Sequence, residues 1–214
     1  MSDAQPGTVP IGVMIVDDHP LLLEGLTSVI DADPGLRVVA CARSGRQAID
    51  LYRSHRPDVT LLDIQMPEMD GFATLVALRQ EFPGARVMML TTYDGDAQAR
   101  RALAAGACGY LLKSLCGTEL LDALRAVHAG RRYIPRAVAA QLAEHVTDET
   151  LTDREVDVLR CVAEGNSNRR IANKLSVSED TVKTRMKNIM CKLAATDRTH
   201  AVVIALKRGI IDKL

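Results

Sequence analysis

The chain has 214 residues, of which 47% are apolar and 25% charged, a balance that suits folded globular units and excludes a disordered or fibrous chain. At roughly 100 to 150 residues per domain, the length fits two compact units better than one large enzyme barrel. Formal charge sums to zero, but residues 1–150 carry 14 basic and 19 acidic side chains while residues 151–214 carry 13 and 8, so a net −5 stands against +5.

A small basic unit fits a polyanion partner and fits an ordinary solvated surface equally well, so charge alone leaves both open. No apolar run approaches the roughly 20 residues that span a bilayer, and the opening Met1-Ser2-Asp3-Ala4-Gln5-Pro6 lacks the basic and apolar segments of a signal peptide. No membrane association is expected, and the cytoplasm is the expected location. The 5 cysteines are odd in number and contain no C-x-x-C pair, which offers neither a disulfide framework nor a zinc site. With 3% aromatics and no Trp, a stacking platform for single strands is disfavoured.

Residues 1–10, with two prolines and no periodicity, read as a loose tail. Short apolar runs then appear at Gly12–Val16, Leu36–Ala40, Asp58–Leu62, Arg86–Leu90 and Gly109–Leu112, each of the length of a buried strand. Helical stripes lie between them: Leu22, Leu26, Val29 and Ile30; Phe72, Leu75, Val76 and Leu78; Ala99, Ala102 and Leu103; Leu120, Leu121, Leu124 and Val127. Five strands alternating with helices predict an α/β, doubly wound parallel sheet over residues 11–130. After Gly130 the alternation stops. Pro135, Val138, Leu142 and Val146 mark a short helix within a linker over residues 131–150.

Residues 151–214 read as helices only. Thr152 and Glu155 form a capping box, Gly165 ends the first helix, Ser167 and Ser178 cap the next two, and Asp197 starts a fourth. A short helix, a tight turn and a longer helix make a helix-turn-helix within an all-α four-helix unit.

Ligands of open parallel sheets bind beyond the carboxyl ends of the strands. Those ends carry Asp17 and Asp18, then Asp63, Thr91 and Lys113. Each alone is explained as a helix cap, a strand-end residue or a surface charge. Together, converging carboxylates call for a hard cation such as Mg²⁺ or Mn²⁺, and a carboxylate beside a cation and an ammonium can act as a nucleophile toward phosphorus.

The runs Val16-Asp-Asp-His-Pro20, Leu62-Asp-Ile-Gln-Met-Pro-Glu-Met-Asp-Gly71, Met89-Leu-Thr-Thr-Tyr93 and Ala105-Gly-Ala-Cys-Gly-Tyr-Leu-Leu-Lys113 resemble the receiver domain of bacterial two-component response regulators, whose fold is flavodoxin-like. The resemblance implies that Asp63 accepts a phosphoryl group from a sensor histidine kinase. It further implies that Asp18, Asp63 and the Gln65 backbone carbonyl ligate Mg²⁺ with Asp17 behind them, that Lys113 pairs with the phosphate, and that Thr91 and Tyr110 form a switch pair. His19 is expected as a loop residue beside the site rather than a ligand. Gln65 and Tyr93 occupy positions that tune phosphoryl lifetime in that family. Ser114 departs from the proline many receivers carry after the lysine, where a cis bond without proline would cost about 2.5 to 4 kcal/mol.

On the helix from Ser178 to Leu193, Val182, Met186, Ile189, Met190 and Leu193 share one face, which turns Lys183, Thr184, Lys187, Asn188 and Cys191 outward. Such a face suits a major groove or, absent the preceding cap and turn, plain solvent. The segments Leu151–Leu159, Gly165–Ala172, Leu175–Lys183 and Lys192-Leu193 resemble the LuxR-type helix-turn-helix, and the whole chain resembles the NarL/FixJ branch of response regulators. This resemblance implies groove reading by Lys183, Thr184 and Lys187, and phosphate contacts from Ser178, Thr181, Asn168 and Arg169; Asn188, on the same outward face, can contact a base or a phosphate. It also implies dimerisation through Val202, Val203 and Leu206. Arg185 stands where the family often has His. The implied partners are the kinase, double-stranded promoter DNA, a second copy of the chain on activation, and RNA polymerase. The implied function is a phosphorylation-dependent transcriptional regulator, not an enzyme. An aspartyl-phosphate phosphohydrolase would need a second acid where Gln65 stands. A regulator working without phosphorylation is the other alternative. Cys41 and Cys161 are expected to be small buried residues.

Overall fold

The computed structural model describes residues 9–92, 95–145 and 149–211. Residues 1–8 of the expected tail, Tyr93, and Val146 in the expected linker lie outside the described residues. The chain divides into two compact units, one of Met1–Thr92 and Arg100–Arg136, the other of Tyr93–Ala99 and Ala137–Leu214.

Five strands, β1 (Ile11–Val16), β2 (Leu36–Ala42), β3 (Val59–Asp63), β4 (Val87–Thr91) and β5 (Gly109–Leu112), alternate with α1 (Pro20–Asp31), α2 (Gly45–His55), α3 (Gly71–Glu81), α4 (Asp96–Ala104) and α5 (Leu120–His128). All strand pairs are parallel, in the order β2-β1-β3-β4-β5. The chain leaves β1 toward one edge and returns on its other side at β3, so the topological switch lies where these two strands end. Strands β3 and β4 are buried along their whole length, which is why they read as unbroken apolar runs rather than alternating ones. Edge strand β2 is only part-buried, and Cys41 on it is exposed; having a neighbour on one side only explains why this cysteine is not the core residue expected. Cys161 is buried as expected.

Helix α1 buries Leu23, Leu26 and Ile30, while Val29 sits on the flank of the stripe and stays exposed. Helix α3 departs further from expectation. Gly71 at its start lies flush on the Asp63 backbone, where a Cβ would stand 2.1 Å from the carbonyl oxygen. Phe72, Leu75 and Leu78 are buried as expected, but Thr74 faces inward with its hydroxyl donating to the Asp70 carbonyl at 2.8 Å, and Val76 stays outside. Beyond α5, the Tyr110 N–H donates to the Tyr133 carbonyl at 2.8 Å and the Tyr133 N–H to the Cys108 carbonyl at 3.3 Å. Residues 131–136 thus stay with the first unit as a short extension on the β5 edge.

The second unit holds α6 (Arg136–Glu144, its first residue counted with the first unit), α7 (Asp153–Ala163), α8 (Asn168–Leu175), α9 (Glu179–Lys192) and α10 (Arg198–Arg208). Its core is Val158, Leu159, Val162, Ile171, Val182, Met186, Ile189, Leu193, Ala201 and Ala205 with their neighbours. Each of α7 to α10 starts at the polar cap read in the sequence, Thr152, Ser167, Ser178 and Asp197, and each cap side chain accepts a backbone N–H of the first turn. Helix α8 ends at Ser176 in the left-handed region, φ 54°, and two residues later Ser178 opens α9. Among the described residues no helix is long and apolar enough to cross a membrane.

Candidate acidic site and nucleic-acid interface

The sheet register fixes the acidic site. Val16 pairs with Leu62, Asp63 with Leu90, and Thr91 with Leu112, so Asp17, Asp63, Thr91 and Lys113 reach the same carboxyl edge. Asp17, Asp63 and Thr91 are buried, Asp18 is half-buried, and Gln65 is exposed. Tyr110, one strand over, is wholly enclosed. Lys113 opens a tight turn over Lys113–Leu115, and its Nζ lies 2.7 Å from Asp17 Oδ2 and 3.1 Å from Asp63 Oδ2. Among the described residues no peptide bond is cis.

Burial pushes the Asp63 carboxyl above the usual carboxylate range, and the charge of Asp17 adds to it. The Lys113 ammonium and the Gln65 N–H pull the other way without cancelling the effect. Burial works against the Lys113 ammonium, yet its hydrogen bond to Asp17 and the charges of Asp63 and Asp17 outweigh that and hold it above the usual lysine value. Asp63 Oδ2 and Asp18 Oδ1 are both enclosed without an aligned hydrogen bond. Three converging carboxylates against one ammonium leave an excess of negative charge, and such an oxygen-rich set fits a hard divalent cation.

His19, expected as a loop residue beside the site, stands closer to it than the sequence disclosed. Its Nδ1 lies 3.1 Å from Asp17 Oδ1 and 2.9 Å from Asp18 Oδ1. One ligand atom from each of Asp17, Asp18, His19 and Asp63 falls within 4.8 Å of the others. Gly71 is the second residue whose part sequence reasoning missed. It lay within a quoted motif, but only the contact with Asp63 shows why no side chain fits there.

On the second unit, Lys183, Thr184, Lys187, Asn188 and Cys191 are all exposed along α9, while Val182, Met186 and Ile189 on the opposite face are buried. Lys183 Nζ rests 3.1 Å from Asp180, one turn earlier, and that hydrogen bond raises its pKa. Ser178 and Thr181 share a 2.8 Å hydroxyl contact at the helix start, and Arg169 is exposed at the start of α8. Asn168 is half-buried with its Oδ1 enclosed, so it presents less to a ligand than Arg169 does. Lys192 is engaged inward, donating to Glu155 at 2.9 Å, a pair the sequence did not disclose. On α10, Val203 is exposed and Val202 and Leu206 are half-buried, leaving an apolar strip part-open. A row of cations on a capped helix held by a short preceding helix is an arrangement that can enter a DNA groove and pair with phosphates.

Two family models match the chain, the response regulator receiver domain over residues 13–125 and the LuxR family of bacterial regulatory proteins over residues 149–205. The nitrate/nitrite response regulator protein NarP of Escherichia coli is 40% identical over 95% of this chain and 98% of its own. The crystal structure of the response regulator ChrA, from a heme-sensing two-component system, is similar at 39% identity and a TM-score of 0.55, covering 94% of this chain and 99% of ChrA. The RcsB response regulator of Salmonella enterica serovar Typhimurium, bound to a promoter with the phosphomimetic beryllofluoride, is similar at 27% identity and a TM-score of 0.71, over 92% of this chain and 98% of RcsB.

Proposed function

The chain belongs to the two-component response regulators that join a receiver domain to a LuxR-type DNA-binding domain, and on that premise we propose that Asp63 is its phosphoacceptor and the outward face of α9 its DNA-reading surface. The observation that carries this reading is the enclosed carboxylate of Asp63, 2% exposed, with the Lys113 ammonium 3.1 Å from its Oδ2.

The donor is a phosphohistidine of a sensor kinase. An Asp63 oxygen attacks phosphorus, the donor's P–N bond breaks, and the imidazole leaves. Asp18, Asp63 and the Gln65 carbonyl, with Asp17 behind them, would hold Mg²⁺ or Mn²⁺, which would supply positive charge against the phosphoryl oxygens. Lys113 already spans Asp17 and Asp63 and is placed to follow the new charge. The Thr91 hydroxyl, on the neighbouring strand end, donates to a phosphoryl oxygen, and the Tyr110 ring one strand further responds to that movement. Gln65 brings no acid for hydrolysis, so the chain works as a switch and not as a steady phosphatase.

Lys183, Thr184, Lys187 and Asn188 then meet base edges and nearby phosphates, Arg169, Ser178, Thr181 and Asn168 meet the backbone, and the Val202, Val203 and Leu206 strip pairs two copies over a two-fold site. RNA polymerase is the downstream partner and the cytoplasm the place of action. Domain limits of 11–130 for the receiver and 151–214 for the DNA-binding part, with the linker between, complete the reading. The test is labelling by a small acyl phosphate with Mg²⁺ present: the protein is expected to take up one phosphoryl group and Asp63→Asn none, and equal labelling of the variant would remove Asp63 from the role.

A further inference from the structure

His19 occupies the cap position of α1, with φ −91° and ψ 108°, and Pro20 follows it at the first helical position. Its side chain makes no cap hydrogen bond, so the ring does not serve the helix. The ring instead turns back over the acidic site, where Nδ1 stands 3.1 Å from Asp17 Oδ1 and 2.9 Å from Asp18 Oδ1, while the His19 N–H donates to Asp17 Oδ1 at 2.9 Å. That backbone bond and the proline fix where the ring emerges. The Asp18 oxygen facing it is enclosed and has no aligned hydrogen bond.

Adjacent donors around an octahedral first-row cation, with bonds of about 2.1 Å, stand about 3.0 Å apart. The separation of the ring nitrogen from the Asp18 oxygen, 2.9 Å, matches that edge. Mg²⁺ prefers oxygen and keeps its waters, and Mn²⁺ shares that preference, whereas imidazole nitrogen suits Fe²⁺, Ni²⁺, Cu²⁺ and Zn²⁺.

We infer that His19 is an additional ligand of the acidic site, recruited through its neutral ring nitrogen by a first-row transition cation and left aside by Mg²⁺. The inference rests on reading Asp17, Asp18 and Asp63 as the cation site, and it gives that site a nitrogen-bearing mode selective for transition metals. In the cation-free protein the same distances serve a ring N–H lying against two carboxylates, an arrangement that would contribute nothing to cation choice.

The test uses the full chain stripped of cations, with Ni²⁺ and Mg²⁺ affinities measured by titration and the shell of bound Ni²⁺ read by X-ray absorption, where imidazole gives a distinct outer-shell scattering. His19 is 70% exposed at its side chain, so His19→Ala is expected to fold. Bound Ni²⁺ is expected to show imidazole scattering that disappears in His19→Ala, with Ni²⁺ affinity falling about tenfold or more and Mg²⁺ affinity changing by less than about twofold. Ni²⁺ bound without imidazole scattering, scattering that survives in His19→Ala, or equal loss for both cations would overturn the inference. If both cations bind, and weaken in Asp63→Asn, while imidazole scattering is absent, only the role of His19 falls. If neither cation binds the unaltered protein, the reading of the acidic site falls with it.

Discussion

At the scale of single residues, Asp63 meets opposed demands. The proposed phosphoacceptor role asks for enclosure away from water, while enclosure beside Asp17 disfavours its charge, which is why its pKa stands above the usual range. The carboxylate is therefore a cost to the cation-free fold. Asp63→Asn removes that charge while Lys113 keeps Asp17, and the expected result is a gain of about 1 kcal/mol with a midpoint a few degrees higher. A lower midpoint in thermal unfolding would show that the Lys113–Asp63 contact outweighs the burial cost. Gly71 is held the other way. A methyl group there would stand 2.1 Å from the Asp63 carbonyl oxygen and 2.8 Å from the Ile64 Cα, both backbone atoms that cannot swing aside. Gly71→Ala is expected to lose about 2 kcal/mol or more and to slow labelling by displacing Asp63, read by denaturant unfolding and phosphoryl uptake; wild-type values in both would contradict the packing argument.

At the scale of elements, α7 to α10 were the most legible, because each begins with a cap that satisfies its own first turn. The strands were legible from their apolar runs, and in β3 and β4 burial on both faces removes the polar alternation. Helix α2 left no apolar stripe in the sequence: only Gly45, Ala48 and Tyr52 of its 11 residues are buried, and the Ser44 cap, the one local cue, was not used. On α3 the burial of Thr74 and the exposure of Val76 were hidden because side-chain hydrophobicity points the other way at both positions. At the acidic site the carboxylates, Thr91 and Lys113 announce themselves as strand ends, whereas His19 joins them through a turn that no periodicity encodes.

The Glu155–Lys192 pair ties α7 to α9 and makes a prediction of its own. Burial alone would raise the Glu155 pKa, but hydrogen bonds from Lys192 and from the Thr152 N–H and hydroxyl outweigh it and hold the carboxyl below its usual value of 4.5. A lowered acid pKa means stabilisation that is complete above 4.5 and is lost as pH falls through the folded value. Glu155→Gln is expected to cost about 1 to 2 kcal/mol at neutral pH, with the gap from wild type narrowing below pH 4.5. A gap independent of pH would assign the cost to packing. On α9, Lys183→Ala and Lys187→Ala are each expected to weaken DNA binding and to reduce the salt slope by about 1, measured by titration at several salt concentrations. An unchanged slope would place that lysine outside the interface.

At the scale of the whole molecule, the neutral total charge conceals an acidic first part and a basic second part, −5 and +5, which is the division of labour of a chain that receives a phosphoryl group at one end and meets DNA at the other. The receiver and LuxR-type matches cover these two parts in that order. For the two activities to be one function, the population of DNA-competent protein has to depend on the state of Asp63. The most direct measurement is selection of fragments of the source genome on the purified full chain with Mg²⁺, in the presence and absence of beryllofluoride. Enrichment of a two-fold-related motif only with the phosphoryl mimic is the predicted result; equal enrichment in both conditions would contradict control of DNA binding by Asp63.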